Sequence, residues 1–230
     1  MANPQTSIPE ALNTLCAGLV LISAFAMVAT RQVQGMVRYF VIQSLLLSIS
    51  CFLLAYSHSS HHLWTLGGIT IAAKVIAIPW ILRRLLPNEF YERREISQAV
   101  NIPASLLISL LLAIVAEFLV GSVAAANTDP LIRVNLPIGL AGVLIGAYSL
   151  IARREAIPQL VGILAMENGV FFAGIAIANE LPLIAELGVA VGVMLIVVVI
   201  GLLTRNIRLK LGTTEAGTLN ELKEEAASWR

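Results

Sequence analysis

The chain has 230 residues, of which 58% are hydrophobic and 13% are charged, and its formal net charge is +1. Soluble domains contain about 45–50% apolar and about 25% charged residues, so this composition excludes an ordinary soluble domain and predicts an integral membrane protein. The near-neutral balance points to neither a nucleic acid nor a strongly acidic partner.

Seven apolar stretches are long enough to cross a bilayer, which needs about 20 residues. We place them at residues 12–30, 39–56, 63–82, 99–121, 131–151, 157–178 and 183–204, numbered span 1 to span 7. The predicted fold class is therefore all-α, a polytopic membrane protein of seven transmembrane helices in a single domain. Pro79 removes a helix hydrogen bond from span 3 and is expected to kink it. The first ten residues carry no Lys or Arg, so we expect no cleaved signal and keep the first apolar run as a span.

The links between the spans alternate in charge. Lys and Arg are concentrated in links 31–38, 83–98 and 153–155 and in the tail, whereas links 57–62 and 179–182 have none and link 122–133 has only Arg133. Because basic links stay in the cytoplasm, we predict an outside N-terminus and a cytoplasmic C-terminus in the cell inner membrane. Three histidines are expected outside the bilayer in link 57–62, either as solvated residues or as metal-binding or pH-sensing groups: His58, His61 and His62.

Spans 1–3 and spans 5–7 run in the same order and orientation, and each set has a polar pair near the centre of its middle span. The pairs are Gln43–Ser44 and Glu167–Asn168. A duplicated three-helix unit explains this pattern, and shared apolar composition is the alternative. The domain is accordingly divided into a first unit with its cytoplasmic link, a connecting helix, a second unit and a cytoplasmic tail, at residues 1–98, 99–130, 131–204 and 205–230.

Two ionisable residues lie near the middle of the membrane. Glu167 is about ten residues from either end of span 6, and Lys74 is about eleven residues into span 3. At a rise of 1.5 Å per residue, both must face protein or a wet cavity. A carboxyl that changes charge near pH 7 is a proton carrier, and a buried lysine exchanges its proton readily. The alternatives are a structural glutamate that joins helices and a structural salt bridge to a neighbouring subunit.

Glu186 is predicted to join Glu167 and Lys74 in the relay, and Glu117 and Asn168 are possible relay residues. Asn168 follows Glu167 directly, Glu186 lies about one turn inside the outer end of span 7, and Glu117 lies about one turn from the outer end of span 4. For both glutamates the alternative is an interfacial residue that reaches headgroup water.

Motifs indicate helix packing and give no sign of a bound cofactor. Spans 5 and 7 carry GxxxG patterns, which let helix backbones approach closely, at Gly142 and Gly146 and at Gly188 and Gly192. The two cysteines, Cys16 and Cys51, lie in apolar runs as small core residues do. There is no CxxC, HExxH, GxGxxG or Walker loop, so we expect no metal site and no cofactor bound by this chain.

Several stretches resemble the hydrogenase-4 component E family. They are Met-Glu-Asn-Gly at 166–169, Leu-Pro-Leu-Ile-Ala-Glu-Leu-Gly at 181–188, Leu-Asn-Glu-Leu-Lys at 219–223, and residues 70–79 of span 3. The resemblance covers most of the chain, most closely residues 150–223. It implies a non-catalytic membrane subunit of a complex I-like or group 4 hydrogenase-type assembly, with antiporter-like and hydrogenase-like membrane subunits as partners and with the redox chemistry on other chains.

The last three spans of that family are similar to the K subunit of complex I and the C subunit of multi-subunit cation/proton antiporters. In those subunits a mid-membrane glutamate on the second of three helices joins a chain of lysines and glutamates that moves protons. Glu167 matches this glutamate by its depth and its Glu-Asn context. The chain departs from the family at Gly192, where an aspartate is often found. Either Glu186 takes that role, or a partner supplies the acid, or this member conducts poorly.

We therefore predict a subunit that contributes to proton or sodium translocation, with Glu167 as the main carrier, Lys74 as its paired base and Glu186 as the outer acid. One alternative is a purely structural linker between antiporter-like and hydrogenase-like subunits. The other is an independent small-solute transporter.

Overall fold

The computed structural model describes residues 8–85, 100–126 and 129–177, so predictions for span 7, the tail and most of link 83–98 lie outside the described residues. Within these ranges the chain is helical and forms no β-strand, and six helical stretches are long and apolar enough to cross a membrane. The elements in chain order are α1 (Ile8–Ala29), α2 (Val33–His58), α3 (His61–Thr70), a π-helical segment (Ile71–Ala77), α4 (Ile78–Leu85), α5 (Ile102–Ala126), α6 (Pro130–Ala152) and α7 (Ala156–Ile177).

These helices correspond to spans 1 to 6, but several of them extend beyond the predicted bounds. α2 begins at Val33 instead of residue 39, and α5 continues to Ala126, past the predicted end at residue 121. The histidine link is also shorter than predicted, because Ser59 ends α2 in a left-handed conformation (φ 51°) and His61 already begins α3. Hydropathy locates the most apolar part of a helix, whereas the hydrogen-bonded helix extends beyond that part at one or both ends.

The third span is a continuous helical stretch with a π-helical middle. The Ile78 N–H donates to the carbonyl of Ala73, five residues earlier, instead of the carbonyl four residues earlier. Pro79 follows directly and has no N–H to donate, and local π-helical turns are one way in which transmembrane helices accommodate a proline. The disturbance expected from Pro79 therefore takes the form of a π-helical segment, and this segment carries Lys74.

Glycines bring the backbones of α6 and α7 into close contact. A Cβ atom at Gly139 would lie 2.5 Å from the Ala173 backbone nitrogen, and one at Gly146 would lie 2.7 Å from the Met166 backbone nitrogen. Gly142 lies opposite Gly169, where a Cβ would approach the Gly169 Cα to 3.3 Å. Small residues at such positions let transmembrane helices pack without a hydrophobic driving force. The α6–α7 hairpin is consequently a tightly packed unit.

The other helices surround this hairpin. α1 and α2 pack against each other, with α1 also against α6 and α2 also against α7 and the π-helical segment, while α5 packs against α6 and α1. Two apolar clusters lie towards opposite ends of the bundle. One contains Met36, Phe40, Leu82, Leu160 and Leu164, and the other contains Val20, Leu54, Leu66, Phe172 and Ile175. The mid-helix polar residues of α2, the π-helical segment and α7 lie between these clusters.

Arg153 connects the α6–α7 link to the end of α1. Its Nη2 donates to the carbonyls of Met27 at 3.4 Å, Val28 at 2.8 Å and Thr30 at 2.9 Å. Burial lowers the pKa of Arg153 to about 10, although the charge of Glu155 and the Tyr148 hydroxyl partly oppose this. The guanidinium stays protonated at neutral pH and suits the negative C-terminal end of a helix.

Replacing Gly169 with alanine is expected to destabilise the protein. The added Cβ would lie 2.6 Å from the Val143 backbone nitrogen and 2.7 Å from the Gly139 carbonyl oxygen, and neither backbone atom can move aside alone. Overpacking of this kind costs about 1–3 kcal/mol. Gly174→Ala on the same helix is the control, because no heavy atom lies within 4 Å of its added Cβ. Thermal unfolding in detergent compares the two, and equal melting temperatures would contradict the close packing.

Arg153→Ala is expected to lower the melting temperature, because it leaves the last carbonyls of α1 without their charged donor. Hydrogen bonds to charged groups contribute about 1.5–3 kcal/mol. Arg154 is exposed, so Arg154→Ala removes the same charge from the neighbouring position and should have little effect. If the two variants unfold at the same temperature, the contacts of Arg153 with α1 do not stabilise the bundle.

Candidate functional site

A lysine and a glutamate meet halfway along the bundle. Lys74 Nζ lies 3.1 Å from Glu167 Oε1, and the two side chains are 4% and 12% exposed. Lys74 comes from the π-helical segment and Glu167 from α7. Each lies within about two residues of the middle of its helical stretch, so the ion pair lies near mid-membrane depth when these helices cross a bilayer.

Two other groups of α7 surround the Lys74 ammonium. Its Nζ donates to Asn168 Oδ1 at 3.0 Å and lies 4.4 Å from the centre of the Phe171 ring. Glu167 and Phe171 are four residues apart, and Asn168 and Phe171 are three apart, so α7 presents all three to the same neighbour. A carboxylate, an amide oxygen and the negative face of an aromatic ring are each suited to an ammonium group.

Asn168 continues the network to α2. Its Nδ2 donates to Ser44 Oγ at 2.9 Å and to Gln43 Oε1 at 3.4 Å, and the residue is buried. The two polar pairs that the sequence places at the centres of spans 2 and 6 are thus hydrogen-bonded to each other. The network joins α2, the π-helical segment and α7.

Three buried polar atoms of this network form no hydrogen bond with a residue in the described ranges. They are Gln43 Nε2, Glu167 Oε2 and Glu167 Oε1, and the last of these contacts Lys74 in the ion pair. Buried polar atoms are nearly always paired in proteins, so each retains the capacity for a further donor or acceptor. Within the pair itself, transfer of one proton from Lys74 to Glu167 converts two charges into a neutral amine and a neutral acid.

The other predicted site residues do not enter this network in the part of the chain that the structure describes. Glu117 is exposed on α5, and Gly142 and Gly146 lie at the α6–α7 contact. The predicted residues of span 7 lie outside the described residues: Glu186, Gly188 and Gly192.

A second polar cluster was missed in the sequence. Asn13 of α1 donates through Nδ2 to Asn135 Oδ1 of α6 at 2.9 Å, and Ser50 of α2 donates to Asn13 Oδ1. All three are buried. The available signal was an asparagine near the start of an apolar run, at residues 13 and 135, away from the mid-span positions of the predicted ionisable residues and polar pairs. The cluster joins α1, α2 and α6 through neutral groups. It lies closer than Glu167 does to the end of the bundle that contains His58 and Pro130.

Comparison with known proteins finds relatives that align with most of the chain. The chain is 29% identical over 225 residues to the uncharacterized protein Rv0085 of Mycobacterium tuberculosis, covering 97% of this chain and 100% of that protein. It is 24% identical over 210 residues to hydrogenase-4 component E of Escherichia coli and of Shigella flexneri, covering 90% of this chain and 95% of theirs. No family model and no solved structure matches it. The chain is thus a distant relative of hydrogenase-4 component E.

A double-mutant cycle tests the ion pair. Lys74→Met alone leaves the buried Glu167 without its cation, and breaking a buried pair on one side costs about 3–5 kcal/mol. Adding Glu167→Gln removes the stranded charge, so the double variant should be more stable than the sum of the two single changes predicts. Thermal unfolding of all four proteins measures the coupling.

The matched control for this cycle pairs Lys74→Met with Glu117→Gln. Because Glu117 and Lys74 share no contact in the described structure, these two changes should be additive. Additivity in both cycles would show that the Lys74–Glu167 contact carries no energy.

Proposed function

We propose that the protein is a non-catalytic membrane subunit of a complex I-like, hydrogenase-type assembly and that its Lys74–Glu167 pair takes part in proton translocation. Its six apolar helices and its similarity to hydrogenase-4 component E fit a membrane subunit of a hydrogenase-like complex. The observation that carries the proposal is the buried ion pair of 3.1 Å at mid-helix. Ionisable residues at that depth are rare and commonly mark ion or proton paths.

The pair supports a balanced cycle for one proton. A proton that arrives at Glu167 neutralises the carboxylate and leaves Lys74 without its counter-charge. Lys74 then releases its own proton while its contacts with Asn168 and Phe171 keep the nitrogen in place. Transfer of the proton from Glu167 to Lys74 restores the original charges. The net result is one proton taken up at the carboxyl side and one released at the amine side.

The remaining parts of the proposal concern the surroundings of the pair. We place the chain in the inner membrane as seven spans with the N-terminus outside and the C-terminus in the cytoplasm, as the charge of the links predicts. Glu186 in span 7 serves as the outer acid, and antiporter-like and hydrogenase-like membrane subunits extend the path on either side. The electron-transfer chemistry takes place on other chains, and sodium is the alternative ion.

A second candidate function is that of a structural linker. It is favoured by the way in which Asn168 bonds to Lys74 on one side and to Ser44 on the other, because this fastens three helices together. A linker needs the hydrogen bonds of the network but no change of protonation. Replacing the carboxyl group with an isosteric amide separates the two functions.

Glu167→Gln is expected to lower redox-driven proton translocation by about tenfold or more, since an amide has no proton to exchange at neutral pH. The complex should remain assembled, because the amide keeps the shape of the carboxyl group and its oxygen stays in contact with the Lys74 ammonium. Acidification of membrane vesicles that contain the intact complex is measured with a pH-sensitive dye, alongside redox turnover in the presence of an uncoupler.

Glu10→Gln is the control, because it makes the same chemical change in the first turn of α1. Unchanged proton translocation in Glu167→Gln would overturn the relay and favour the structural linker. Loss of the complex from the membrane in that variant would assign Glu167 to assembly.

A further inference from the structure

Glu117 lies near the middle of α5 instead of near its end. The helix runs from Ile102 to Ala126 over 25 residues, about 37 Å, and its midpoint is Ile114. Glu117 is three residues beyond this midpoint, about 4.5 Å along the axis. With the helix centred in a hydrocarbon core of about 30 Å, the nearer boundary is about 10 Å away. A glutamate side chain does not reach water over that distance.

The carboxyl group faces out of the bundle. Glu117 is exposed, and none of the described residues forms an ion pair or a hydrogen bond with it. Only 11% of the most apolar stretch of α5 is buried, compared with 39–56% for the other five spans. Acidic side chains within transmembrane helices almost always face protein or a wet cavity and pair there. Lipid is therefore an unsuitable neighbour for this face of α5.

Glu117 belongs to a stripe of residues spaced three and four apart, which is the spacing of a helix–helix contact. We call Leu107, Leu110, Ile114, Glu117 and Gly121 the Glu117 stripe. Its three aliphatic residues are 50–67% exposed. At Gly121, a Cβ would have only Glu117 Oε1 within 4 Å, at 3.6 Å, so the carboxyl group lies over a glycine that leaves room for a second helix.

We propose that the Glu117 stripe is the docking surface for a transmembrane helix of a different subunit, which presents a basic or hydrogen-bond-donating side chain to Glu117 at mid-membrane depth. Charge complementarity selects this occupant. Burying the carboxyl group requires a donor, and a packed helix supplies one while covering the three aliphatic residues.

Two other candidate occupants, span 7 of the same chain and a second copy of the chain, fit the Glu117 stripe less well. Span 7, residues 183–204, carries its hydroxyl donor Thr204 at its last position and adds a second acid, Glu186, so it offers Glu117 no basic partner at mid-membrane depth. A second copy of the chain, docked through the same face about a two-fold axis, would bring two Glu117 side chains together. Like charges at close range are unfavourable.

The docking proposal depends on the proposed membership of a membrane complex. It does not depend on proton transfer between Lys74 and Glu167. If the protein is recovered from native membranes without any other subunit, membership itself fails. If it is recovered within a complex whose other subunits do not contact the stripe, only this inference fails.

The test is site-specific photocrosslinking in the intact complex. A benzoylphenylalanine is introduced at Ile114, within the stripe, or at Leu119, which is turned about 140° around the same helix. These positions are matched because Ile114 is 58% and Leu119 is 59% exposed. The probe at Ile114 should join the chain to one other membrane subunit, and the probe at Leu119 should do so at least several-fold less. Products from Ile114 that contain only lipid, span 7 or a second copy would overturn the proposal.

A second variant tests the carboxyl group itself. Glu117→Leu keeps a helix-forming, membrane-compatible residue and removes the acceptor, so the crosslink from Ile114 should fall by about three- to thirtyfold. Phe118→Leu is the control, because the adjacent Phe118 is 86% exposed and lies outside the stripe. An unchanged yield in Glu117→Leu would show that Glu117 does not select the partner helix.

Discussion

The absence of water at the centre of a bilayer is the constraint on which the polar interior of this protein depends. A lysine ammonium at that depth must be satisfied by protein groups, and here Glu167, Asn168 and Phe171 supply a carboxylate, an amide oxygen and an aromatic face. Asn168 also donates a hydrogen bond to Ser44 of α2, so the requirement for a buried polar partner extends to that helix. The positions of α2, the π-helical segment and α7 are therefore coupled: displacing any one of them leaves a buried polar group without its partner, which is costly in a low-dielectric interior.

The packing of α7 explains how its polar residues reach their partners. Its contacts with α6 recur at Gly162, Met166, Gly169 and Ala173, where the two backbones approach most closely. Glu167 and Phe171 lie about 100–180° around the helix from these positions, so they face away from α6. The glycine contact leaves no room for α7 to rotate or slide against α6. A rigid hairpin thus holds the carboxyl group facing α2 and the π-helical segment.

The depth of the site residues could be predicted from the sequence, whereas their partners could not. Hydropathy and the count of residues place Lys74 and Glu167 at mid-span, because depth depends only on rise per residue. Contact depends on the rotation of each helix, and the π-helical segment at Lys74 changes that rotation in a way that Pro79 alone does not specify. Arg153 illustrates a second limit. As a basic link residue it was counted only as an indicator of orientation, yet its contacts with the end of α1 fasten two parts of the bundle together.

The balance of charges inside the membrane argues that the chain is one part of a larger polar system. The predicted spans contain three acids, Glu117, Glu167 and Glu186, and one lysine. Arg133, the remaining cation, lies in the first turn of α6, far along the helix from mid-membrane. Lys74 is already engaged by Glu167, so the chain has no second mid-membrane cation for another carboxyl group. Membrane helices whose acids outnumber their bases are best satisfied by neighbours with the opposite excess. Alternation of acids and bases across subunit boundaries is also the arrangement through which protons can pass from one chain to the next.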